Sequence, residues 1–273
     1  MRPWFVVAIA GVLACDLDES GLGAGADAAP LPEAAPIEAA PDATEDVVDA
    51  ASDASQSACE AVCTGPNESC FNGTCVVDCL QTGACAAGVT CPPGVPCEVD
   101  CGPTSCGAID CTKASSCNID CSAGSTTECS GPITCGGSKC SVHCGEQACH
   151  QTVTCAADLC DVTCDYGACW GSITCSGTSC YVACDEQACS GNVACNATGT
   201  CNVACNGSPS CSGTVSSAAA GSTLCCNGGG SCGGLVSCSK TTCEIGCLPD
   251  AGSCAGGEQC TAKSCTLDAS TCP

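Results

Sequence analysis

Ile133-Thr134-Cys135-Gly136-Gly137-Ser138-Lys139-Cys140-Ser141-Val142-His143-Cys144-Gly145-Glu146-Gln147-Ala148-Cys149 carries the pattern that decides the fold. Cys140, Val142 and Cys144 fall on alternate positions, and Ile133 and Cys135 take the same step, so Val, Ile and Cys share one face of two extended segments. Gly136–Lys139 and Gly145–Ala148 between them are turn chemistry. The next copy starts at Val153 and another at Ile173. With looser turns the pattern starts at Val89, Ile109 and Val193, degenerates through Val215 and a copy near Val236, and ends in a partial copy around Cys260. A tandem strand-turn-strand-turn unit predicts coils stacked about 4.8 Å apart. The expected fold is all-β: a parallel β-solenoid of about nine 20-residue cysteine-rich coils over residues 89–273. An array of disulfide knots is the structural rival, because it shares the turn-rich repeat.

The alternation also sorts the surface. Thr90, Thr134, Thr154 and Thr174 should face outward on one wall, and Glu98, Asp100, Asn118, Asp120, Ser141, His143, Asp161 and Thr163 on another. The inward set is small. After the first five residues the aromatics are Phe71, Tyr166, Trp170 and Tyr181, too few to fill the interior of a 273-residue chain. Sulfur must supply packing that larger side chains supply elsewhere, and 41 cysteines imply bridges in an oxidising compartment.

An exported chain needs a route out, and the N-terminus offers one. Arg2 is followed by an apolar run from Trp4 to Ala14, the length of a signal peptide and short of the roughly 20 residues that span a bilayer. The run ends in Val12-Leu13-Ala14-Cys15, which resembles the lipobox of bacterial lipoproteins. The resemblance implies a signal peptide at 1–14, lipidation of Cys15 as the mature N-terminus, and a membrane partner reached through that lipid. Setting Cys15 aside leaves an even number of cysteines, which could pair completely.

Residues 15–58 read as the lipid anchor followed by a disordered, extended tether, rich in Ala, Pro and Asp, with a short helix around Glu45–Ala51 as the alternative. The chain carries 29 acidic residues against 5 basic ones, and the tether has no Lys or Arg at all. This balance argues against nucleic acid as a partner and against electrostatic docking on anionic lipid. Residues 59–88 read as a small disulfide-rich knot, since Cys70-Phe71-Asn72-Gly73-Thr74-Cys75 resembles the short cysteine segments of EGF-like modules.

The damaged copy at 215–234 bears on pairing. Ser217 stands in the slot of Cys135 and Ser222 in that of Cys140, so the first and second cysteines vanish together. Joint loss is expected if first bonds to second and third to fourth. The bridges expected are then Cys135–Cys140, Cys144–Cys149, Cys155–Cys160, Cys164–Cys169, Cys175–Cys180 and Cys184–Cys189. Cys225 and Cys272 stand outside this scheme, and bridges between coils are the alternative.

The chemistry motifs point away from catalysis. Cys-x-Cys and Cys-x-x-Cys are absent, so the short chelates of zinc ribbons and the thioredoxin redox motif are missing, and neither a metal nor another cofactor is expected. The two histidines, His143 and His150, stand in no metalloprotease context. Glu98, Asp100 and Asp120 would line up on stacked coils as a solvated face, with a weak calcium site as the functional alternative. The single Thr column is interrupted by Asp110 and Ala194, unlike the regular ladders of ice-binding β-solenoids. The sequence reads as a non-enzymatic cell-envelope or cell-surface lipoprotein with a structural and adhesive role. A surface module binding an extracellular carbohydrate or protein ligand is the alternative.

Overall fold

The computed structural model describes residues 46–103, 106–122, 128–248 and 252–267, all within one compact unit spanning residues 43–273. The expected signal peptide, Cys15, the first part of the tether and Cys272 lie outside the described residues.

The fold is a parallel β-solenoid. An eleven-stranded sheet collects the long strands and a nine-stranded sheet the short ones. In one coil the short strand is Ile133–Cys135 and the long strand Lys139–Cys144; the next has Val153–Cys155 and Leu159–Cys164. The register is strict: Val142 aligns with Val162, and Val162 with Val182, while Cys140, Cys160 and Cys180 align in the same way. Strict register follows from the period of two, because a slip by one residue would expose every Val and Cys and bury the polar set.

Ile133, Val153 and Ile173 project from the short strands and Val142, Val162 and Val182 from the long ones, each at most 1 % exposed. Burying one such side chain contributes on the order of 1.5–3 kcal/mol. Two columns of disulfides flank this thin aliphatic centre. One joins short strands to the long strands that follow them, as in Cys135–Cys140 and Cys155–Cys160, except where Ser217 and Ser222 take the two positions; the other ties long-strand ends to the next turn, as in Cys144–Cys149 and Cys164–Cys169. These bridges close loops only five residues long in sequence. By chain entropy each then contributes about 2 kcal/mol, the low end of the usual range, and the sum over coils provides the stability. Bridges at this density belong to an oxidising, extracytoplasmic environment.

Close stacking makes demands on the backbone. Gly191 sits where an added Cβ would lie 2.5 Å from the Gly171 backbone, and Gly213 stands in the same relation to Gly191, so this column has no room for a side chain. The last cysteine of successive coils is left-handed, with φ of 54° at Cys149, 56° at Cys169 and 54° at Cys189. An L-residue costs about 1–2 kcal/mol in that region, and here the bridge holds it.

The N-terminal end is capped. Helix α1 (Asp46–Glu60) packs against a hairpin of β1 (Glu68–Phe71) and β2 (Thr74–Cys79). This corrects the extended reading of the tether over 46–58, which took low complexity for disorder. Alanine favours helix, and the stretch is rich in it. Gln56 clamps helix to hairpin: its Nε2 donates to the Cys70 carbonyl at 3.3 Å and its Oε1 accepts from the Gly73 N–H at 2.9 Å.

Residues 59–88 hold three bridges, Cys59–Cys70, Cys63–Cys75 and Cys79–Cys85, as a small knot would. They are also continuous with the solenoid, because β2 pairs in parallel with Pro96–Cys101 in register Cys75↔Cys97 and Cys79↔Cys101. Cys75 therefore occupies the slot of a second cysteine, and its bridge partner Cys63, three residues beyond the end of α1, stands in for the first. At the other end Glu258 takes the position that Val236 holds one coil earlier and is exposed, and Leu267 is 62 % exposed beyond Ile245. The aliphatic column stops there. Among the described residues no helix is long and apolar enough to cross a membrane.

Candidate functional site

The residues singled out in the sequence fall into two groups. The twelve cysteines expected to pair do so within their coils: Cys135–Cys140, Cys144–Cys149, Cys155–Cys160, Cys164–Cys169, Cys175–Cys180 and Cys184–Cys189, with Cα separations of 5.8–6.1 Å. Several sulfurs from adjacent coils crowd together, Cys135, Cys140 and Cys155 among them. Cys135 is bonded to Cys140 and Cys155 to Cys160, so this crowding is a stack of bridges rather than a set of thiolates.

The carboxylates expected on the outer wall do form a column. Asp78, Asp100, Asp120 and His143 occupy one register position on successive long strands. Burial raises the pKa of Asp100 above the usual carboxylate value, and the charges of Glu98, Asp120 and Asp78 add to the effect. His143 ends the acidic run, with Nδ1 3.5 Å from Asp120 and Nε2 3.2 Å from Asp165. The His143 side chain is 44 % exposed, so these are surface pairs of modest strength. Asp110, on the opposite wall, accepts from the Thr112 hydroxyl and N–H at 2.7 and 3.0 Å, which lowers its pKa. Asp78, Asp100 and Asp120 form an acidic stripe along the long-strand wall.

A Gly229-Gly230-Ser231-Cys232-Gly233 tract matches the spacing of a nucleophile elbow. Ser231 is fully buried, however, and its hydroxyl donates to the Gly228 carbonyl at 2.7 Å while accepting from the Gly228 N–H at 3.1 Å. It closes a turn rather than presenting an oxygen to a substrate.

The feature with the clearest binding character lies elsewhere, on the turns that follow the long strands. Gln147, Tyr166, Gly167, Trp170, Gln187, Ser190, Pro209 and Ser212 line an open cleft of about 380 Å³. Hydrogen bonds between turns set its floor: the Gln147 N–H donates to the Tyr166 carbonyl at 3.0 Å and the Gly167 N–H to the Glu186 carbonyl at 3.0 Å. Trp170 is 58 % exposed and Tyr166 40 %. Both are fixed in place. The Trp170 indole N–H donates to the Gly167 carbonyl at 2.5 Å, and His150 lies tilted against its ring, centroids 5.4 Å apart. Gln187 Nε2 donates to the Tyr166 hydroxyl at 2.7 Å, leaving the phenolic proton to point elsewhere.

Sequence reasoning missed this cleft. Tyr166 and Trp170 stood out only as scarce aromatics, and nothing in their local sequence joins them to Gln187 or Ser212. The usable signal was their place in turns: an aromatic outside the period-two strands has no core to fill. No family model, no curated protein and no solved structure matches the chain.

Proposed function

We propose that the chain is a non-enzymatic lipoprotein of the bacterial cell envelope or cell surface, anchored through lipidated Cys15, with the solenoid as a rigid element serving a structural and adhesive role. The observation that carries this reading is the repetition of bridges within single coils along both edges of the ladder. Such a body resists unfolding and proteolysis without a large hydrophobic core, as a surface scaffold must. The Val12-Leu13-Ala14-Cys15 tetrapeptide supports the anchor, and the uniform acidity supports display in solvent over contact with nucleic acid.

Detergent partitioning tests the anchor. Wild-type protein should follow the membrane fraction with an acylated N-terminal cysteine, and Cys15→Ser should be released or remain unprocessed. Wild-type protein found wholly soluble, with an unmodified N-terminus, would overturn the lipoprotein reading. A second reading, a surface module that binds carbohydrate or protein, is favoured by the Tyr166–Trp170 cleft.

A further inference from the structure

We propose that the Tyr166–Trp170 cleft binds a neutral, linear chain of pyranose sugars. The site rests on the second reading above and is independent of the anchor, since the scaffold would stand without it.

The aromatic rings are the first argument. Among the described residues no aromatic lies in the buried core, and two share one edge of the solenoid with their rings open to solvent. Burying an aromatic ring is worth more than burying any aliphatic side chain here, so its exposure calls for a reason. Trp170 is held on one side by its own turn and on the other by His150, which presents the indole without rotamer freedom to lose on binding. A flat, fixed, exposed ring suits the C–H face of a pyranose.

The rest of the lining fits sugar hydroxyls. Gln147, Gln187, Ser190 and Ser212 offer both donors and acceptors, as a hydroxyl requires. No charged residue lines the cleft, on a chain of formal net charge −24. An anionic polysaccharide would be repelled by the whole molecule, and a cationic peptide would find no carboxylate among the lining residues.

The geometry specifies a chain rather than a single sugar. Gln147, Tyr166 with Trp170, Gln187 with Ser190, and Pro209 with Ser212 come from four consecutive coils. At about 4.8 Å per coil the lining runs for roughly 15 Å along the stack, and successive subsites repeat on the length scale of successive sugar rings. An open cleft lined from successive coils would take the interior of a polymer as readily as its end.

Trp4 and Trp170 are the only tryptophans, so removal of the leader leaves Trp170 as the sole indole reporter. The full-length processed protein is titrated with cello-, manno- and chito-oligosaccharides from di- to hexasaccharide, following Trp170 fluorescence and binding heat. One series should give a saturable response that tightens with length and then levels off. Trp170→Ala should weaken binding about tenfold or more by calorimetry, while the β circular dichroism spectrum stays unchanged. Gln187→Ala should weaken it with the ring still in place. The absence of a saturable response to every neutral series would overturn the proposal. So would stronger binding of polygalacturonate or oligolysine than of any neutral chain. Neither result would alter the partitioning of the anchored protein, so failure of the site and failure of the lipoprotein reading remain distinguishable.

Discussion

Ser217 and Ser222 face each other with hydroxyl oxygens 2.6 Å apart, in the register positions that hold the Cys195–Cys201 bridge one coil before and the Cys238–Cys243 bridge one coil after. Both are buried, so the lost covalent link has been replaced by a hydrogen bond between two hydroxyls that satisfy each other. The double variant Ser217→Cys/Ser222→Cys should close this missing bridge spontaneously and add about 2 kcal/mol of stability. Either single variant should instead lose about 1 kcal/mol, since it leaves one hydroxyl without its partner. Thiol titration and chaotrope melting check this, and a double variant with both thiols titratable would refute it.

Reduction should abolish the fold. Without its bridges the molecule retains only a thin aliphatic centre and a hydrogen-bond ladder, so the reduced, alkylated chain should lose its β circular dichroism signal. Retention of the oxidised spectrum would show that the bridges are not the scaffold. Peptide mapping of the oxidised protein should give short loops closed within coils. Cys225 is disulfide-bonded, and if Cys15 is acylated, Cys272 is the cysteine that parity assigns to it. A linked Cys15 peptide would contradict both that pairing and the anchor.

Asp100 should make stability fall as pH rises. Its pKa is raised in the folded chain by burial, with Glu98, Asp120 and Asp78 adding to it, so the folded state holds a proton that the unfolded state releases. Stability from this group is fully present below the ordinary carboxylate value and is lost as pH rises through the raised one. Asp100→Asn should therefore melt higher than wild type at neutral pH, with the difference vanishing in acid. Asp110 works the other way: its lowered pKa gives stability above the ordinary value that is lost on acidification. Thermal melts across pH separate the two, and an Asp100→Asn protein less stable than wild type at neutral pH would contradict the first.

Gly191→Ala should destabilise the solenoid by about 1–3 kcal/mol, because the new methyl group meets backbone that cannot move without separating two coils. Gly221→Ala is the control, since its Cβ would meet only the Thr242 hydroxyl at 3.5 Å. Equal melting points for the two variants would show that the coils can part freely at the glycine column.

The periodic parts of this structure were legible in the sequence for a physical reason. A period of two repeated every 20 residues leaves one way to bury Val142 and Val162 together, and the joint absence of cysteine at Ser217 and Ser222 pointed to pairing inside the coil. The cap was not legible, because Cys75 looks like one cysteine among many until β2 is seen to pair with the first full coil. The cleft was hidden for the same reason. Gln147, Tyr166 and Gln187 lie 19 and 21 residues apart, and only the coil register makes them neighbours.

Closure of the bridges inside single coils also frees the number of coils from the number of cysteines. Excision of residues 153–172 would remove Cys155, Cys160, Cys164 and Cys169 as two complete pairs and bring Ile173 onto Ile133 in the same register. Duplication of the same segment would insert two complete pairs. A gene of this design can lengthen or shorten its product by recombination between repeats without orphaning a thiol, and damage such as that at Ser217 and Ser222 stays confined to the coil that suffers it.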